Sequence, residues 1–234
     1  ELLADPHDQI YEATVRFGDG TEHPVIFYKG IFRDTQGKAA GIIGTVLDIT
    51  ERKQAEERIR KLNECFLSFG PAPMENIARL TRVCGELLHA RYAFYTHAEQ
   101  PAVDAAGASE PVMACRWRSD AALPPLHDAW NHVAEDMIEE AGSAVKVLYR
   151  HRDRTYWQSD SGRDSAGADS FAGMPVPCHG RVTGCLCLLF EGLRELTFEE
   201  QQMMGVIAAA IGVEEHRRHA EQERESFLQL IMEY

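Results

Sequence analysis

The chain is 234 residues long and carries 37 acidic against 24 basic side chains, a formal net charge of −13, which excludes the basic face that nucleic-acid binding needs. Its 44% hydrophobic content is enough for one large or two small cores, yet it holds no apolar run of about eighteen residues that would span a membrane. The opening ELLADPHDQ is acidic and lacks the form of a secretory leader, so a cytoplasmic protein is expected.

Residues 10–17, IYEATVRF, read as a strand, and Gly18-Asp19-Gly20-Thr21 as a turn carrying the Asp-Gly hairpin signal. Residues 23–33 form a second strand, Asp34–Lys38 a second turn and 39–49 a third strand. Three strands joined by short turns make an antiparallel meander, which is marginal on its own. The stretch 41–54, GIIGTVLDITERKQ, runs from that third strand into a charged helix, with Asp48 and Thr50 as capping groups and Glu51 to Gln54 as its first turn.

The wording G-x-x-x-D-I-T-E-R-K resembles the end of a PAS sensory domain, where the last strand leaves through a signalling junction, here Asp48, Ile49, Thr50, Glu51 and Arg52. The resemblance implies that residues 1–50 are the C-terminal part of such a domain. Its first two strands and short helices would belong to an earlier part of a longer parent, and most of its ligand pocket would be missing. A helix over 51–69 follows, with Ala55, Ile59, Leu62, Phe66 and Phe69 stepping by 4, 3, 4, 3, the seam of a two-stranded coiled coil. The competing reading is an amphipathic helix packed on its own domain. Pro71 and Pro73 break this helix.

Residues 74–89 form a second helix, with Ile77, Leu80, Val83, Cys84, Leu87 and Leu88 on one face. Strands are expected at 91–97, 112–118 and 145–149, a helix at 126–140, and a long loop at 150–168. Residues 170–177 and 182–190 form a hairpin across Cys178-His179-Gly180-Arg181, and a long helix begins at 198. This order gives an α+β fold, an antiparallel sheet with helices on one side.

The run Phe171 to Val176, then Gly180 to Phe190, then Leu196-Thr197-Phe198-Glu199-Glu200 is similar to the last third of a GAF domain. Leu62 to Phe69 and Asn76 to Leu80 resemble its opening helices. The expected organisation is a PAS remnant at 1–50, a signalling helix at 51–69, a GAF domain at 70–213 and a linker helix at 214–234. In the second long helix Val206, Ala210, Val213, Arg217, Ala220, Arg224, Phe227 and Ile231 step by 4, 3, 4, 3, with Glu and Arg in i,i+3 and i,i+4 pairs on the other faces. A fully helical run over 206–234 would be about 43 Å long, more than a small domain covers. Ile59, Leu62, Phe66, Val206, Val213 and Phe227 are therefore the expected seam of a parallel homodimer. Arg217 and Arg224 suit a seam that is not locked.

No nucleotide-binding, zinc-protease or nucleophile-elbow motif occurs, and His216 and His219 do not match a kinase phosphoacceptor. No catalytic or metal residue is assigned, and any kinase or cyclic-di-GMP output is expected outside this chain. The six cysteines at 65, 84, 115, 178, 185 and 187 form no CxxC pair and are expected as free thiols. Cys185 and Cys187 face the same side of a strand and read as core. The resemblance places a ligand in the region 98–170, which makes Trp117, Trp130, Tyr149, His151, Tyr156 and Trp157 the candidate small-molecule pocket. The alternative for the tryptophans is ordinary core. Nothing in the sequence requires a cofactor, although the scaffold could hold haem.

Three functions compete. One is a sensory and relay module of a sensor histidine kinase or cyclic-di-GMP protein. The second is a haem- or flavin-holding redox or gas sensor, which a colourless protein would count against. The third is a cysteine-dependent redox enzyme of GAF fold, for which replacing Cys178 would abolish turnover. Helical seams at both ends favour the first.

Overall fold

The computed structural model describes residues 8–97, 112–124, 126, 134, 138, 147–151, 169–178 and 180–232. The chain divides into two compact units, Glu1–Glu64 and Cys65–Tyr234. Its architecture is α+β, with one antiparallel sheet in each unit.

In the first unit, β1 (Gln9–Arg16), β2 (Glu22–Arg33) and β3 (Ala39–Asp48) pair in that order as a meander. The first turn closes with Phe17 N–H donating to Thr21 O at 2.8 Å, while Gly20 sits at φ +86°. The second is organised by Asp34, whose carboxylate accepts the backbone N–H groups of Gln36 and Lys38, both at 2.9 Å. Val25 and Ile26 are buried. The register sets Ile10, Tyr28, Phe32, Ile43 and Leu47 on one face and Tyr11, Ile42 and Val46 on the other, and all eight are exposed.

Helix α1 (Thr50–Leu67) begins one residue earlier and ends two residues earlier than the sequence suggests. After it, Ser68 and Phe69 turn back to the carbonyls of Cys65 and Phe66 at 3.1 and 3.2 Å. Arg52–Glu56, Arg60–Glu57 and Arg60–Glu64 pairs lace its surface at i,i+3 and i,i+4 spacing.

The second unit contains α2 (Pro73–Leu87), β4 (Tyr92–His97), β5 (Val112–Arg118), β6 (Leu148–His151), β7 (Ser170–Cys178), β8 (Arg181–Phe190) and α3 (Phe198–Met232). The sheet order is β5-β4-β8-β7-β6, every pair antiparallel. β6 lies later than the strand expected at 145–149, because its extent is fixed by pairing with β7, Leu148 opposite Gly173 through His151 opposite Ser170. Of the helix expected over 126–140, only Leu126, Ala134 and Ile138 fall within the described residues.

Helices α2 and α3 cover one face of the sheet. An added Cβ on Gly85 of α2 would touch Trp117 and Ala93, and one on Gly205 or Gly212 of α3 would meet Met174 or Val176. The far face carries Tyr92, Phe94, Met113, Phe171, Cys185, Cys187 and Leu189, packed with Leu126 and Ala134. Burial on both faces explains why residues 185–190 are apolar without alternation.

Candidate functional site

Four parts of the structure bear on function: the strand-to-helix junction, the far face of the second sheet, the outward stripes of the helices, and the interface between α2, α3 and β4.

At the junction, the Asp48 carboxylate accepts the backbone N–H of Thr50 at 2.8 Å and its hydroxyl at 2.6 Å. His23 Nδ1 lies 2.9 Å from the other Asp48 oxygen. His23 Nε2 is 2.7 Å from the Thr21 hydroxyl, which donates to Asp19 at 2.6 Å. A continuous polar chain therefore runs from the first turn to the start of α1. The Thr50 hydroxyl and amide hold Asp48 below its ordinary carboxyl range, with burial opposing them weakly and His23 assisting. Ile49 between them is buried and donates to Pro24 O at 3.0 Å. Arg52 pairs with Glu56, and Glu51 is exposed.

On the far face, three side chains hold the carbonyls of Leu123, Pro124 and Leu126. The Tyr92 hydroxyl donates to Pro124 O at 2.9 Å, Arg118 to Leu123 O at 2.5 Å and Arg116 to Leu126 O at 3.1 Å. Phe94 and Phe171 meet edge-on beneath, with ring centroids 6.1 Å apart.

Of the six residues expected in a pocket, Trp117 and Tyr149 have described side chains, and neither lies on the far face. Trp117 is paired with Ala93 on the helix-covered face, where its ring lies over Gly85. Tyr149 is paired with Ala172 on the same face, and its hydroxyl accepts the Leu196 N–H at 3.2 Å. The two stand on opposite edge strands, β5 and β6, so the sheet does not bring them together. His151 is in β6, but its side chain, like Trp130, Tyr156 and Trp157, lies outside the described residues.

Of the seam residues, Ile59, Phe66, Val206, Val213 and Phe227 are exposed and Leu62 is half-buried. Arg217 departs from the seam. It turns onto its own unit, donating to Glu214 at 2.8 Å and to Pro71 O at 3.1 Å. Its charge is met within the chain because Glu214 beside it is buried.

The thiols are free. Burial pushes Cys84 and Cys187 up, Cys115 up to about 11, and Cys178 up with Glu215 adding to the effect. Among the described residues, no three His, Cys, Asp or Glu side chains form a metal-binding group, and no helix is long and apolar enough to cross a membrane.

Sequence reasoning missed the interface of α3 with α2 and β4. Glu214 and Glu215, which read as members of a solvated charge pattern, are 4% and 0% exposed. Glu214 accepts from Asn76 Nδ2 at 2.9 Å, and Asn76 is itself fully buried. Glu215 pairs with Arg218 at 2.9 Å and lies near the buried Tyr95 hydroxyl, whose pKa is raised by burial and then by Glu215.

No family model matches the chain, and no curated protein matches it. Solved structures do. A bacteriophytochrome from the photosynthetic bacterium R. palustris aligns with TM-score 0.55 at 13% identity, covering 93% of this chain and 47% of that one. The phycocyanobilin-bound GAF domain of a cyanobacterial phytochrome aligns with TM-score 0.51 at 16% identity, covering 72% of this chain and 96% of that one. The GAF domain of a candidate sensor histidine kinase from Pseudomonas syringae pv. tomato aligns with TM-score 0.51 at 9% identity, covering 75% and 96%. The chain thus spans about half the length of the bacteriophytochrome and nearly all of the isolated GAF domains. At such identities the likeness speaks to the fold, which is α+β and GAF-like.

Proposed function

We propose that this chain is a sensory and relay segment of a signal-transduction protein, working as a parallel homodimer, with residues 1–50 as the end of a PAS domain and the GAF-like unit behind it. The observation that carries the reading is α3. It is one 35-residue helix packed on the unit as far as Glu215, and its last stretch leaves Phe227, Leu228, Leu230 and Ile231 exposed. A soluble unit does not keep such an apolar helix bare without a partner. Val206 and Val213 continue the stripe at seven-residue spacing where the helix is still packed.

A kinase or a cyclic-di-GMP enzyme is the kind of output such a helix would serve, and the similar structures from phytochromes and a candidate sensor kinase support that setting. One of those GAF domains is bound to phycocyanobilin. The described residues do not fit a tetrapyrrole: the far face is filled by the chain's own Tyr92, Phe94, Phe171 and Leu189 under Leu126 and Ala134. A cysteine-dependent enzyme is disfavoured because burial holds the Cys178 thiol up, away from the reactive thiolate.

The test is to place a charge in the stripe. In sedimentation equilibrium the chain is expected at twice its own mass. Val213→Glu and Phe227→Glu together are expected to halve that mass while leaving the circular dichroism of the GAF-like unit intact. A native chain that sediments as a monomer would sink the reading.

A further inference from the structure

We propose that the adjacent residues Glu214 and Glu215 of α3 are where two separate inputs reach the outgoing helix, Glu214 from the turn that follows α1 and Glu215 from strand β4.

The first connection runs through Asn76. Its Nδ2 donates to Gly70 O and to Glu214 Oε2, both at 2.9 Å. Its Oδ1 accepts from Gly70 N at 2.9 Å and from Arg79 Nη1 at 3.0 Å. Both amide donors and both lone pairs are thereby used, so the side chain has no slack. Arg79 also donates to Ser68 O at 2.9 Å, and Arg217 clasps Glu214 while donating to Pro71 O at 3.1 Å. The carbonyls of Ser68 and Gly70 in the turn after α1 are therefore tied to Glu214 by way of Arg79 and Asn76 of α2, and that of Pro71 is bound directly by Arg217 of α3. Burying a carboxylate and an amide together is stable only while all the partners are in place, so the turn and the helix shift together or the network breaks.

The second connection is separate. Glu215 is fully buried, and one oxygen accepts from Arg218 Nε at 2.9 Å. Its other oxygen is buried without a geometric hydrogen-bond partner among the described residues, as is the Tyr95 hydroxyl, whose pKa is raised by burial and then by Glu215, with the Thr183 hydroxyl opposing. The Tyr95 ring also lies against Gly184, where an added Cβ would meet its hydroxyl at 2.5 Å. Tyr95 is therefore seated on β8 where Gly184 leaves room for its ring. Its neighbours Phe94 and Thr96 face the opposite side of β4, over the far-face cluster. A change in packing on that side moves the β4 backbone and, with it, the group facing Glu215.

The inference rests on the relay reading only in naming α1 as the upstream input. A monomeric chain would sink that reading and leave the coupling described here untouched. The experiment is amide hydrogen exchange on the whole 234-residue chain and on three variants. Asn76→Ala and the gentler Glu214→Gln are each expected to speed exchange about tenfold at both 68–71 and 213–219, the size expected for losing a hydrogen bond to a charged group. Tyr95→Phe is expected to speed exchange in 213–219 and β4 while leaving 68–71 as in the parent. Confinement of each change to its own segment would overturn the proposal. So would an equal rise throughout β8, since these residues would then merely hold up the fold.

Discussion

At the scale of single residues, two positions turn elementary chemistry into measurable behaviour. Gly212 lies where α3 crosses β7, and a Cβ there would sit 2.2 Å from Pro177 O, a backbone atom that cannot rotate away. Helix propensity alone favours alanine over glycine by roughly 1 kcal/mol. The clash outweighs it, so Gly212→Ala is expected to lose about 1–3 kcal/mol in urea denaturation. A gain in stability would mean that the helix stands further from the sheet than described. Asp48 offers a pH test. Its folded carboxyl is depressed by Thr50, so its contribution is complete above the ordinary value of 3.8 and is lost only as pH falls through the lower folded value. Carboxyl NMR shifts should show Asp48 titrating below 3.8, and in Asp48→Ala the Thr50 amide should lose its protection even at neutral pH. An ordinary titration would remove the junction knot from the account.

At the scale of elements, much was legible in the sequence, for local reasons. The turns at 18–21 and 34–38 announce themselves through Asp and Gly, and β7 and β8 through long apolar runs beside Gly180, whose φ is +75°. The start of α1 follows from Asp48 and Thr50. What failed depends on partners far away in the chain. Glu214 and Glu215 fit an i,i+3 pattern with Arg217 and Arg218, which on any isolated helix means a solvated face. They are buried because Asn76, 138 residues distant, and Tyr95 on the sheet receive them. Trp117 and Tyr149 are pocket candidates through the resemblance, and the sheet sets them on opposite edge strands. Which face each takes is set by pairing with Ala93 and Ala172, and β5 carries a register shift opposite Tyr95 and Thr96 that no local pattern reveals. Ile59, Val206 and Val213, expected in a dimer seam from their heptad spacing, are exposed.

At the scale of the whole molecule, the chain is a succession of a small sheet, a charged helix, a GAF-like unit and a second long helix. What the arrangement offers is mechanical continuity, because the turn after α1 is bound at Ser68 O by Arg79 of α2 and at Pro71 O by Arg217 of the outgoing helix. On the relay proposed above, the output would change by a small shift between packed helices, with a second copy for the outgoing helix to move against.

The most direct test is therefore disulfide trapping with Val213→Cys and Phe227→Cys in separate proteins, using the parent with its native thiols as control. A parallel, in-register pair brings each residue opposite its own copy, within the roughly 7 Å between Cα atoms that a disulfide tolerates. Both variants should cross-link rapidly under mild oxidation while the parent does not. Failure of both, or cross-linking at one position alone, would contradict a parallel dimer and with it the relay.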